Sequence, residues 1–368
     1  AEQFEDLDDR LIQITRECNK YGIYFLVTAN AANTVRYRVA QNFGGVYALQ
    51  LNDTSDYIGM FSGTGGVYPS KIKGRGLCKM DRVYEFQTAH FAQDSSQQAI
   101  RTFVNDLSVN MDSRARPVPT LPERVVASLF QDTFTSSAVP IGVEKVSLRI
   151  STWDLNKSVI SLALSQNTEE LGATVQGIAE QLSKLDNVAV TVLDGAGLIA
   201  ESEGLSYGYL RSSFSGRVEA LFQEMVRRNN TYKQAVAAQK PIEQYSPEFF
   251  VITGLQSIFA SLSEQGKDEL NTLLEKAELH YNARFILCDS PKEISAFSGT
   301  TWYRRHISSS DGLWIGDGIA DQYVLKIGKL NSSLYSEVPP HFGYLVKRGK
   351  PTLLKLIIGE NYEEEMER

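Results

Sequence analysis

The residues of this chain best spaced for chemistry lie where a short apolar run meets an amphipathic helix, at Ser165-Gln166-Asn167-Thr168-Glu169-Glu170-Leu171-Gly172-Ala173-Thr174. A phosphate-binding loop stands at such a strand-to-helix junction. It follows G-x-x-x-x-G-K-[S/T]: glycines let backbone N–H groups wrap the phosphates, the lysine neutralises their oxygens, and the hydroxyl binds Mg²⁺. This segment has no lysine and one glycine, and Glu169 and Glu170 stand where a triphosphate would sit. Two like charges about 4 Å apart repel by about 4 kcal/mol at an effective dielectric of roughly 20, which reverses the purpose of the loop. The pair reads most simply as first-turn carboxylates, favourable at the positive end of a helix dipole. A site for a different anion is the competing reading. The acid that would orient Mg²⁺ is also missing: Phe249-Phe250-Val251-Ile252 runs into Thr253-Gly254, with no carboxylate until Glu264.

Other constellations are weaker. His90, His280, His306 and His341 have no ligand-like spacing, so no metal site is expected. Cys18, Cys78 and Cys288 are far apart and read as buried thiols of a reducing compartment. Asp194-Gly195-Ala196-Gly197 follows a strand and reads as a turn. Arg304-Arg305 is either a solvated pair or an arginine acting on a neighbour's nucleotide.

What elements must hold these residues? The chain has 368 residues, 42% of them hydrophobic, which provides for two to three domains with substantial cores. Lys and Arg number 37 against 44 Asp and Glu, a net charge of −7 that argues against coating nucleic acid. No apolar run approaches the length of a membrane span. At the N-terminus, Leu7, Leu11, Ile14, Cys18 and Tyr21 mark an amphipathic helix, followed by a strand-length run Gly22–Val27 that is apolar on both faces. Residues 1–91 are therefore expected to be the back half of an α/β module. Residues 92–139, with Pro117, Pro119 and Pro122, read as an extended linker docked through Val118 and Leu121. Residues 140–358 form a complete module: strands at 159–164, 188–193, 249–252 and 285–288 alternate with amphipathic helices, giving a mostly parallel, doubly wound sheet. Residues 359–368, with Glu363-Glu364-Glu365, are an acidic tail.

An internal repeat organises all of this. The stretch Asp8–Phe91 is echoed by Lys267–Ile358: Tyr21–Val27 parallels Tyr281–Leu287, Gly45–Ala48 parallels Gly312–Ile315, and Gly74–Lys79 parallels His341–Lys347. With Arg36-Tyr37-Arg38-Val39-Ala40-Gln41-Asn42-Phe43, Leu51-Asn52-Asp53-Thr54-Ser55-Asp56-Tyr57, Gly74-Arg75-Gly76-Leu77 and Tyr84–Ala89, the N-terminal part resembles the C-terminal half of an FtsK/SpoIIIE-type ATPase module. The closing runs Asp317–Tyr323 and Pro339–Tyr344 are similar to the end of the last module in the coupling ATPases of type VII (Ess/Yuk-type) secretion systems of Gram-positive bacteria.

The resemblance implies a RecA-like P-loop NTPase fold with a degenerate nucleotide site at Ser165–Glu170 and a degenerate Walker B strand end at Thr253 and Gly254. It also implies a parent of three tandem modules, of which this chain would be the tail of the second plus the third. The parent would lie at the cytoplasmic face of the cell membrane and work as a homo-oligomer with other secretion-system components. ATP and Mg²⁺ would be bound only by upstream modules, with no cofactor and no catalytic residue in this piece. Its expected role is recognition of secreted helical-hairpin proteins, through an apolar groove placed at Trp302, Trp314, Tyr323, Leu325 and Tyr344. The alternative is an active ATP-binding motor module of a protein or DNA translocase.

Overall fold

A strand that is apolar on both faces needs layers on both sides, and the strands of the C-terminal part have them. The computed structural model describes residues 7–90, 96–109, 111, 118–130, 134–199 and 205–362. The chain divides at Arg116–Pro117 into two compact units.

The first unit contains α1 (Asp8–Glu17), α2 (Tyr37–Ala40), β1 (Tyr47–Ala48), α3 (Thr54–Phe61), β2 (Arg75–Lys79), β3 (Val83–Gln87) and α4 (Gln97–Val109). β1, β2 and β3 form an antiparallel sheet over a small core of Ala48, Tyr57, Phe61, Leu77 and Val83.

The second unit runs β4 (Val139–Glu144), β5 (Ile150–Trp153), β6 (Ile160–Ser165), α5 (Thr168–Ser183), β7 (Ala189–Asp194), β8 (Gly208–Leu210), α6 (Ser215–Ala237), β9 (Glu248–Thr253), α7 (Leu255–Ser261), α8 (Glu264–Lys276), β10 (Ala283–Asp289), α9 (Pro291–Ser295), α10 (Thr301–His306), β11 (Gly312–Ile315), β12 (Phe342–Lys347) and β13 (Lys350–Leu356). Its ten strands lie in the order β5-β4-β13-β12-β11-β6-β10-β9-β7-β8. The run from β11 to β8 is parallel throughout, and β12, β13, β4 and β5 extend it antiparallel. Alternation along the strands splits the core in two. Ile160, Leu162 and Leu164 of β6 face the helices α6 to α10, while Ala163 faces α5. This is the doubly wound, mostly parallel architecture expected.

The repeat is visible in three dimensions. Gly22 and Asn282 each end a short 3₁₀ turn in the left-handed region, at φ 69° and 57°. Gly74 and His341 share that conformation at φ 85° and 61°. Gly76 and Gly343 each pass so close to a carbonyl of the neighbouring strand, Ala48 and Trp314, that a Cβ would collide with it.

The structure corrects the reading of the first unit and of the linker. Residues 23–29 form no strand, and Tyr24 and Leu26 are 82% and 95% exposed. The repeat gives the reason: the equivalent strand β10 is paired on both edges, by β6 and β9. The first unit has no counterpart of either among its described residues, so the apolar run has no ladder to join. Leu11 and Ile14 of α1 are exposed for the same lack of a covering sheet. The expected linker is likewise divided. Residues 97–109 fold as α4, whereas Val125, Ala127 and Phe130 are buried in the core of the second unit, with Leu121 packed against it and Val118 exposed. Residues 359–362 also lie along this unit; Glu363, Glu364 and Glu365 fall outside the described residues.

Candidate functional site

β6 and β10 are neighbours, but the connections that leave them diverge. The one after β6 runs through α5 on one face to β7; the one after β10 runs through α9 and α10 on the other face to β11. In open α/β sheets, ligands bind in the crevice outside the carboxyl ends of such a pair. The Ser165–Glu170 junction lies beside this crevice, at the carboxyl end of β6.

Its geometry is unlike a phosphate cradle. Only Gln166 and Asn167 separate the end of β6 from the start of α5. Asn167 is the helix cap: its Oδ1 accepts from the N–H groups of Glu169 and Glu170 at 3.0 and 3.2 Å, and its carbonyl accepts from Leu171 N–H at 3.1 Å. These are the first-turn donors that would point at an anion. Ser165 turns inward, with Oγ donating to the Ile315 carbonyl at 2.9 Å and accepting from Asn167 N–H at 3.0 Å. The single glycine, Gly172, lies inside α5, where a Cβ would collide with the Leu198 carbonyl. It serves helix packing.

Glu169 is exposed and accepts from the Tyr362 hydroxyl at 2.9 Å. Glu170 turns toward Gly316, and its buried Oε2 has no hydrogen-bond partner among the described residues. Burial raises its pKa, and the nearby carboxylates of Asp317 and Glu169 push the same way. The loop that faces it is tied down by Trp314, whose Nε1 donates to the Asp317 carbonyl at 2.8 Å.

Thr253 ends β9, and Gly254 follows it in the left-handed region at φ 58°. Sequence reasoning missed the carboxylates on either side. Asp194, at the end of β7, is fully buried and accepts from Leu198 N–H, Ile199 N–H, the Tyr209 hydroxyl and Thr253 Oγ1 at 3.0, 3.0, 2.9 and 2.5 Å. Asp289, at the end of β10, accepts from Ser290 N–H at 3.0 Å and Leu255 N–H at 3.3 Å, and burial raises its pKa. An acid closing an apolar run was the available signal, in Leu193-Asp194 and Cys288-Asp289. The turn read at Asp194–Gly197 is organised by the first of these.

The proposed groove residues are placed differently from expectation. Trp302, Trp314, Leu325 and Tyr344 are core, none more than 4% exposed, and only Tyr323 is on the surface, at 68%. Trp302 of α10, Trp314 of β11, Tyr344 of β12 and Leu325 of the segment between β11 and β12 all belong to one buried cluster, so their crowding in sequence reflects packing rather than an open groove. An open groove does occur between α6 and α8. It encloses about 440 Å³ over Phe222, Met225, Leu273 and Tyr281, with Val226, Lys233 and Lys276 at its edge. Arg304 donates to the Gly299 carbonyl and Arg305 pairs with Glu278. Among the described residues, no helix is long and apolar enough to cross a membrane.

No family model matches the chain. The ESX secretion system protein EccC of Geobacillus thermodenitrificans (strain NG80-2) is 22% identical across 96% of this chain, which spans about a quarter of that relative's length (25%). Among solved structures, EssC (ATPases 2 and 3) from Geobacillus thermodenitrificans matches with a TM-score of 0.71 at 19% identity, covering 97% of this chain and 69% of that one. EccC (ATPases 2 and 3) of Thermomonospora curvata, in complex with a signal sequence peptide, matches at 0.50 with 20% identity, covering 98% of this chain and 66% of that one. The resemblance read from the sequence and the RecA-like α/β fold it implied are borne out by these matches.

Proposed function

We propose that this chain is a piece of a type VII secretion coupling ATPase whose last module recognises export substrates without turning over ATP. The observation that carries this reading is the self-capped junction after β6. Its first-turn amides already bond to Asn167, it offers no lysine, and Glu169, Glu170 and Asp317 crowd it with negative charge. These residues do not fit a magnesium triphosphate. Asp194 and Asp289 do not supply the missing acid, because Asp194 accepts from two backbone and two side-chain donors and Asp289 from the backbone at Ser290 and Leu255. In the parent, nucleotide chemistry would belong to upstream modules, in a homo-oligomer at the cytoplasmic face of the membrane.

A module without nucleotide chemistry keeps its surfaces. The relative solved with a signal sequence peptide supports a recognition role, and the groove between α6 and α8 is our candidate for it. An amphipathic helix from a secreted helical-hairpin protein would lay its apolar face on Phe222 and Val226, over a floor of Met225 and Leu273.

Two measurements test this. Calorimetric titration of the chain with Mg-ATP should give no saturable heat at millimolar nucleotide; saturable binding would favour the second reading, an active motor module. Val226 is 39% exposed at the groove edge, so Val226→Asp should fold normally. It should weaken binding of a labelled export-signal peptide by about tenfold, as for an interface anchor, in an anisotropy assay. Unchanged affinity would remove the groove from the proposal.

A further inference from the structure

The N-terminal strap of the second unit (residues 118–130) and its C-terminal segment meet on one side of α5, and the Arg124 guanidinium spans three carbonyls at their junction. Arg124 Nη2 donates to the carbonyls of Gly359, Glu360 and Tyr362 at 3.4, 3.4 and 2.6 Å. Around this joint the two segments are stitched together. Ile358 N–H donates to the Val125 carbonyl at 2.9 Å, and Lys355 Nζ to the Glu123 carbonyl at 2.5 Å. Val125 and Ala127 are 1% and 0% exposed, so the strap is anchored in the core on the far side of Arg124.

From there the C-terminal segment crosses α5 at close range. Gly177 and Gly359 are both required by the crossing: a Cβ on the first would meet Ile358, and one on the second would meet Gln176. Gly359 N–H donates to the Ala173 carbonyl at 3.0 Å, Glu360 N–H to Glu180 Oε2 at 2.9 Å, and Lys184 pairs with Glu360 at 3.1 Å. The segment then reaches the first turn of the helix. There the Tyr362 hydroxyl donates to Glu169, and its ring stands edge-on to His341 with centroids 5.4 Å apart.

We propose that strap, C-terminal segment and first turn of α5 form one relay, with Arg124 as its joint, so that displacing the strap changes the order of the junction at Glu169. The strap opens the second unit, and the hydrogen bonds above run from it to the first turn of α5. The route uses no nucleotide and does not depend on what the α6–α8 groove binds. It differs from a merely structural clamp in one respect: loss of Arg124 must be felt at residues 168–171, beyond the atoms it touches.

Hydrogen exchange on the full chain, read by peptide mass spectrometry, tests this. Arg124→Ala should raise exchange of residues 359–362, and also of residues 168–171, by about fivefold, the size expected from one net hydrogen bond. Peptides from β6 and β10 should stay unchanged. Tyr362→Phe should raise exchange at residues 168–171, and adding Arg124→Ala to it should bring no further rise there, because residues on one route are not additive. The proposal is overturned if Arg124→Ala loosens residues 359–362 while residues 168–171 keep the exchange of the unmodified chain. It is equally overturned if the two substitutions add independently.

Discussion

Trp314→Ala should lower the stability of the second unit by about 3–5 kcal/mol, the cost of truncating a buried Trp to Ala. The indole is 0% exposed on a strand held between β6 and β12. Its removal leaves a cavity among Leu164, Ile319 and Tyr344 and frees the Asp317 carbonyl from Nε1. The tight neighbours, above all Gly343 against the Trp314 carbonyl, leave little room for collapse. Urea unfolding followed by tryptophan emission is a clean assay. The chain has three tryptophans, Trp153, Trp302 and Trp314, and all fall in the second unit, so the remaining two report on it alone. A loss below about 1 kcal/mol would contradict the core assignment. Any failure of the variant to bind export peptides should then scale with the unfolded fraction.

The second large effect is expected at Asp194. Replacement by Ala removes one acceptor group and strands four donors: two backbone N–H groups, a phenol and the Thr253 hydroxyl. The side chains of Tyr209 and Thr253 can rotate toward other partners, but the amides of Leu198 and Ile199 cannot. At about 1–3 kcal/mol for each of these two buried amides left unpaired, a total loss of about 2–6 kcal/mol follows. The damage should be local at first: residues 195–199, which follow β7, should show faster hydrogen exchange than β10 at denaturant levels well below the midpoint. Uniform exchange across both would mean that Asp194 does not organise this turn.

The second unit was readable because its pattern is redundant. β6, β9 and β10 are buried on both faces and each lies before a helix, so Ile160–Leu164 and Phe249–Ile252 announce themselves. The same reasoning failed at Gly22–Val27 because a strand is a relation between segments. The run has the right residues, yet nothing among the described residues of the first unit pairs with it. At the site, the chemistry missing from Ser165–Glu170 could be read from residue types alone. The means by which the gap is closed could not, since it depends on the length of one junction and on the Asn167 side chain turning back on its own helix. Asp194 escaped notice for a similar reason: its partner Thr253 is 59 residues away. The aromatic residues misled because clustering in sequence looks the same for a groove and for a core. Only the sidedness of β11 and β12 separates them.

The two-residue junction also bears on whether this position could ever be repaired. In a degenerate loop of ordinary length, substituting glycine and lysine at the right places would restore a phosphate cradle. Here that route is closed. A lysine at position 169 or 170 would sit on a helix already wound and capped, with its amide directed at Asn167. New backbone would have to be inserted between Ser165 and Thr168, or the first turn of α5 unwound; the latter would draw Gly172 away from Leu198 and Glu169 away from Tyr362. On the proposed reading, the junction departs from a phosphate-binding loop in length as well as in residue identity, and point mutation alone would not build one.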